Sequence, residues 1–255
     1  MRAAHAAGAL LLERFGGPVR ELDVKSSGTD MVSAADTDAE ALIRELIVAE
    51  RPDDGLLAEE GSRETSESGR RWVVDPLDGT TNFLYGFPAW CVSVALEDAD
   101  GGLVGVVHDA VRGETFAAAR GEGATLNGDP VRVRERDDLS RALVATGFGY
   151  DPGRRAWQAR VLTEVLPSVR DVRRAGAAAL DLAWVAAGRL DGYWERGLNP
   201  WDWAAGSLLV LEAGGAVHHL EPRSAGAGTA GGLAAAGPRL LPALLELVER
   251  AEAAT

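Results

Sequence analysis

Hydrophobic and polar positions follow two different periods along this chain. Residues 2–15 are rich in Ala and Leu and stop at Gly16-Gly17-Pro18, a run that ends helices, so the opening segment reads as a helix. Residues 36–50, "DTDAEALIRELIVAE", place Ala41, Leu42, Leu46 and Ile47 at helical spacing behind an acidic first turn, which predicts an amphipathic helix. The stretch "KSSGTDMVSAAD" (25–36) between them is polar and Gly-containing, and predicts a loop or hairpin. From residue 55 the period shortens. "GLLAEE", "RWVVDP", "AWCVSVALED", "GLVGVVHDA" and "ETFAAARG" alternate or run apolar between turn residues, as antiparallel strands do. "GEGATLNGDPVRV" adds a short strand about an Asn-Gly turn. After residue 139 strands and helices interleave: "RALVATGF" is a strand and loop, "PGRRAWQARVLTEVLPSV" a helix, "DVRRAG" a strand end and "AAALDLAWVAAGRL" a helix. "DGYWERG" then reads as a strand, "DWAAGSLLVLEAGG" as a helix, and "GLAAAGPRLLPALLELVERAEA" as a buried strand and a last helix. A composition change near Arg136–Ser140 predicts an N-terminal α+β lobe over 1–138 and a C-terminal α/β lobe over 139–255.

Composition narrows the class. The 255 residues include 26 basic and 39 acidic ones, a formal charge of −13, which argues against nucleic-acid binding through clustered Lys and Arg. No stretch is long and apolar enough to predict a membrane span, so no membrane association and a cytoplasmic location are the expectation. The one cysteine, Cys91, can form no internal disulfide and reads as a buried small apolar residue. Of the four histidines, His218 and His219 are neighbours on one strand; their side chains point to opposite faces, which does not suit metal binding.

Acidic residues recur where elements end. Asp75 and Asp78 lie in "VVDPLDGTTNF" (73–83), Glu59 and Glu60 close "GLLAEE", Asp36 precedes a helix, and Asp202 sits in "NPWDWAAG". If the strand ends at Asp75, Pro76 turns the chain so that both Asp carboxylates aim at one point, and Gly79-Thr80-Thr81 begins a helix whose free N–H groups receive an anion. A turn with an Asp cap and no chemistry accounts for the same letters. Two carboxylates about 4 Å apart repel by about 4 kcal/mol at an effective dielectric near 20, so a cluster of four requires protons or cations. Oxygen-only ligands favour Mg²⁺, then Mn²⁺ or Ca²⁺.

These segments together resemble the inositol monophosphatase family of lithium-sensitive, magnesium-dependent phosphatases. The resemblance runs through "KSSGTDMVSAAD" (25–36), "AEEG" (58–61), "WVVDPLDGTTNF" (72–83), "GEGATLNG" (121–128), "RRAGAAALDLAWVAAGRLDGYWE" (173–195) and "WDWAAG" (201–206). It implies an α/β layered αβαβα sandwich, a homodimer, and two to three Mg²⁺ per subunit, with Mn²⁺ a possible substitute. It also implies the roles. Glu59, Asp75 and the Leu77 carbonyl hold one cation; Asp75, Asp78 and Asp202 hold a second, and a third lies near Glu59. The Gly79 and Thr80 amides bind phosphate. Asp36, Thr80 and Glu59 lie near the attacking water, and Lys25 and Asp30 fall in a matching loop. Asp78, Gly176, Ala177 and Glu195 contact the substrate.

The implied reaction is hydrolysis of a small-molecule phosphate ester, inositol 1-phosphate first. Fructose 1,6-bisphosphate, histidinol phosphate and nucleotides are alternatives, as is a regulatory protein that binds metal and phosphate without turnover. Ala177 stands where Ser or Thr is frequent among such proteins, which weakens the inositol assignment. Arg173 and Arg174 nearby could bind a second anionic group or pair with surface acids.

Overall fold

A computed structural model of the chain describes residues 1–16, 34–222 and 231–255, together with the backbone of residues 23–24 and 31–32. The polar loop that carries Lys25 and Asp30 lies outside the described residues.

The first helix, α1 (Arg2–Arg14), is followed by a two-residue antiparallel pair, β1 (Asp23–Val24) and β2 (Met31–Val32), and by α2 (Ala34–Glu50). The helix therefore begins two residues earlier than its acidic signal suggests, and Asp36 lies inside its first turn. An eight-stranded sheet comes next, built from β3 (Gly55–Ala58), β4 (Arg63–Glu64), β5 (Arg71–Asp78), β6 (Cys91–Asp98), β7 (Gly101–Asp109), β8 (Glu114–Ala119), β9 (Gly123–Leu126) and β10 (Asp129–Val131), with a short α3 (Thr80–Leu84) after β5. Its strands lie in the order β10-β9-β8-β7-β6-β5-β3-β4. The antiparallel expectation fails at one pair. The edge strand β4 reverses the chain, which then returns to the other side of β3, so that β5 runs parallel to β3.

The second half contributes β11 (Leu143–Thr146), α4 (Pro152–Val165), β12 (Asp171–Arg173), α5 (Ala178–Ala186), β13 (Gly192–Arg196), α6 (Pro200–Glu212), β14 (Ala216–Leu220), β15 (Gly232–Ala236) and α7 (Leu241–Ala253). These strands form a five-stranded sheet in the order β12-β11-β13-β15-β14, parallel at both β11 pairings and antiparallel elsewhere. His218 and His219 are both exposed on the edge strand β14.

Five layers result. Helices α1 and α2 cover one face of the large sheet, and α5 and α6 lie between the two sheets. The outer face of the small sheet carries α4 and α7. This is the αβαβα sandwich. The alternation of side chains explains where polar groups emerge. Val74, Val92 and Val94 point into the α1–α2 layer, while Val73, Cys91 and Ala95 point into the central layer of α5 and α6. Asp75, two residues after Val73 on β5, follows the same parity towards the central layer.

Candidate active site

The strand β5 ends irregularly. Its register with β6 shifts between Asp75 and Asp78, and the Leu77 amide donates back to Asp75 Oδ1 at 3.0 Å. Pro76 has no amide to extend the ladder. Gly79 then takes φ +94°, a left-handed turn that suits glycine, and a methyl group there would lie 2.8 Å from the Ala89 carbonyl oxygen. Thr80 opens α3, with its hydroxyl donating to the Leu77 carbonyl at 3.1 Å. Phe83, one turn on, packs edge-on against the fully buried Trp90 at 5.3 Å and anchors the turn in the core.

This turn is fastened to the second half of the chain. The Asn82 amide nitrogen donates to the carbonyls of Ala89 at 2.6 Å, Ala175 at 2.8 Å and Gly176 at 3.4 Å. Asp78 Oδ2 accepts the Ala179 amide at 2.7 Å, in the first turn of α5. That helix starts at Ala177, which has no side chain able to cap it. Asp78 supplies the missing acceptor from another element, and the positive helix end in turn favours its charge.

One cavity of about 600 Å³ is lined by Glu59, Asp75, Leu77, Asp78, Gly79, Thr80, Gly176, Glu195 and Asp202, among others. Most of the expected site residues therefore converge. Glu59 arrives from the end of β3. Asp202 stands in the first turn of α6 with Oδ2 accepting the Asn199 amide at 2.6 Å. Two expected residues lie elsewhere: Asp36 is fully buried in α2 and Ala177 is buried against Gly79, and neither lines the cavity. Arg174 lines it, whereas Arg173 pairs with Asp171 at 2.7 Å. Cys91 is buried, its thiol pushed up by burial and by neighbouring carboxylates, with Sγ 3.7 Å from Asp78 Oδ2.

The electrostatics show a surplus of negative charge. Burial, then the charges of Glu59, Asp78 and Asp202, push the Asp75 carboxyl well above the usual range, and a hydrogen bond to Glu59 favours its protonated form. Asp78 is pushed up to about 7, mainly by burial, against the opposing pull of the α5 amides. Asp202 is raised well above the usual range by burial and by Asp78. Glu195 is raised to about 6 by burial, moderated by the Tyr193 hydroxyl, which donates to it at 2.7 Å, and by Arg174.

Among the described residues, no three His, Cys, Asp or Glu side chains close on one point as a finished metal cage. The acids instead share one cavity, where a side-chain hydrogen bond joins Asp75 to Glu59. Hard divalent cations fit this oxygen-only donor set and its excess charge.

Residues 1–253 match the model of the inositol monophosphatase family. The chain belongs to the inositol monophosphatase family. It is similar to the inositol-1-monophosphatase of Mycobacterium leprae (strain TN), 44% identical over 258 residues, covering 98% of this chain and 87% of that one. It is also similar to the Nus factor SuhB of Pasteurella multocida (strain Pm70), 40% identical over 98% of this chain and 94% of the relative. The crystal structure of the extragenic suppressor protein suhB from Bartonella henselae superposes with a TM-score of 0.86 at 39% identity, covering 98% of this chain and 95% of the other. Like its family, this chain is a phosphoric monoester hydrolase, and the family is metal-dependent.

Against the family pattern, the sequence left three contributors unnoticed. Asn82 was legible only as the end of a motif, and its three carbonyl partners depend on the fold. Arg154 sits in a helix start that gives no hint of the cavity, yet lines it. Tyr193 alternates with Glu195 on β13, a spacing of two that did signal a shared face.

Proposed function

We propose that this protein hydrolyses a small polyol phosphate, with inositol 1-phosphate as the leading substrate, in a Mg²⁺-dependent reaction. The observation that carries the reading is the meeting of four acids with the Gly79-Thr80 turn in one cavity. In this reading Glu59, Asp75, the Leu77 carbonyl, Asp78 and Asp202 hold two cations, with a third near Glu59. Cations held by these residues would supply neutralisation of the phosphate, a lowered pKa for bound water and an offset to charge on the leaving oxygen.

The chain's own groups do the rest. The amides of Gly79 and Thr80 face the phosphate at the opening of the turn. The Thr80 hydroxyl, held by the Leu77 carbonyl, is oriented by that bond, and Thr80 and Glu59 orient and deprotonate the attacking water. Asp36 supports this arrangement from the first turn of α2. Glu195, held by Tyr193, and Asp78 accept hydrogen bonds from substrate hydroxyls, with Gly176 in the wall beside them and Ala177 packed behind Gly79. Two lobes, 1–138 and 139–255, a homodimer and a cytoplasmic location belong to the same reading; no helix among the described residues is long and apolar enough to cross a membrane.

The test is phosphate release by the purified protein from inositol 1-phosphate, fructose 1,6-bisphosphate and histidinol phosphate, side by side. Release from inositol 1-phosphate that needs Mg²⁺ and is blocked by millimolar Li⁺ is expected. Absence of release from a broad phosphomonoester panel sinks the reading.

A further inference from the structure

The same cavity has a second chemical character. Its lining includes Gly147, Phe148 and Gly149, the loop that follows β11, together with Arg154 and Arg174. Each residue of that loop carries one polar side chain from elsewhere. A methyl group on Gly147 would overlap the Glu195 carboxylate. Phe148 carries Arg174, whose guanidinium lies 5.7 Å from the ring centroid and donates to the Phe148 carbonyl at 3.4 Å. A methyl group on Gly149 would lie 2.6 Å from Arg154 Cδ, and one on Gly197, at the end of β13, would lie 2.5 Å from Arg154 Nη1. Arg154 thus threads between two backbones that carry no side chain, and any larger residue at either position would displace it.

The two arginines stand apart from their neighbours. Arg196 is committed to Glu252, and Arg173 to Asp171. Arg154 and Arg174 have no carboxylate within ion-pair distance among the described residues, and Arg154 Nε is buried with no acceptor. A buried guanidinium N–H without an acceptor is unfavourable, so Arg154 is held there at a cost with its charge unneutralised, beside a cavity where the rest of its fork can meet an anion. In a chain of net charge −13, the exposed Arg174 and the half-buried Arg154 place two guanidiniums without a carboxylate partner in the cavity that also holds the acids. Their planar forks match phosphate and carboxylate alike.

We propose that Arg154 and Arg174 form an anion subsite that reads a second anionic group, phosphate or carboxylate, on the alcohol part of the substrate. The proposal rests on the phosphomonoesterase reading above and adds doubly anionic phosphate esters to its substrates beside inositol 1-phosphate. Glu195, next to the arginines, then meets a hydroxyl between the two anionic ends.

Matched substrates test it. Fructose 1,6-bisphosphate is set against fructose 1-phosphate, and 6-phosphogluconate against glucitol 6-phosphate, which differs only in having an alcohol for the carboxylate. The expected result is a kcat/KM about tenfold or more higher for at least one doubly anionic member over its partner. Arg154→Gln should collapse that ratio towards one, and Arg154→Lys should recover part of it. A bisphosphate preference alone identifies phosphate as the group read; a preference for 6-phosphogluconate identifies carboxylate.

A wild-type ratio near one in both pairs, or a ratio unchanged in a folded Arg154→Gln variant, overturns the subsite while leaving the phosphatase reading in place. If no substrate releases phosphate, that reading falls, and the subsite is judged by calorimetric binding of 6-phosphogluconate against glucitol 6-phosphate. Equal binding, or a preference that survives Arg154→Gln, overturns it.

Discussion

Asp78 both lines the cavity and caps α5, whose N-cap residue, Ala177, has no hydroxyl to do so. The first turn of α5 has free amides and no hydroxyl at its start, so Asp78 accepts the Ala179 amide from across the molecule. The departure at position 177, which weakens the inositol assignment when read as a lost substrate contact, falls at a buried position beside a helix end that Asp78 caps. Asn at position 78 would keep one carbonyl oxygen for that amide and exchange the charge and the second acceptor oxygen for an NH₂ donor. Asp78→Asn should therefore melt no lower than wild type in the absence of metal, because the buried charge held at a pKa of about 7 is gone. Its turnover should fall by about a hundredfold or more. Steady-state kinetics beside a melting curve checks both halves; near-normal turnover would remove Asp78 from the metal site.

At the scale of elements, the cavity is a junction of ends: β3, β5, α6 and the turn into α3. Next to it β13 is tied to the last helix by a buried pair. The Arg196 guanidinium is held by both Glu252 oxygens, one at 2.8 Å, and also donates to the Glu221 carbonyl at 2.8 Å. Both residues are at most 8% exposed, so removing one charge strands the other in a dry setting. Glu252→Gln should cost about 3 kcal/mol in urea unfolding with the m-value unchanged. A loss within a few tenths of a kcal/mol would show that the pair sets geometry and adds little stability. The elements themselves were well marked in the sequence. Gly16-Gly17-Pro18 after α1 and Gly214-Gly215 after α6 are local punctuation, and so is Asn127-Gly128 in the β9–β10 turn. The parallel β3–β5 pair was not, because alternation in a strand fixes its faces and says nothing about the direction of its neighbour.

For the molecule as a whole, the buried acids link stability to pH and metal. With Asp78 raised to about 7 and Glu195 to about 6, the folded state holds protons that the unfolded chain has already released above about pH 4. Folded metal-free protein binds more protons in that window, so its stability falls as pH rises through it. The melting temperature in EDTA should be lower at pH 8 than at pH 5, and Mg²⁺ should restore it at pH 8 by binding the folded state. A melting temperature in EDTA that does not fall between those values would show that the acids are not strained by their burial. The sequence by itself determined the order of elements and the identity of the acids. It also determined the chemistry those acids suit, since periodicity and the "DPLDGTTN" motif act over a few residues. Only the tertiary structure decided that Glu59, Asp75, Asp78 and Asp202 share one cavity, that Asp78 caps a helix 101 residues away, and that Arg154 enters beside Gly149 and Gly197. Those outcomes depend on how two sheets pack around α5 and α6. Such packing arises from contacts between residues far apart in the chain, which no local pattern records.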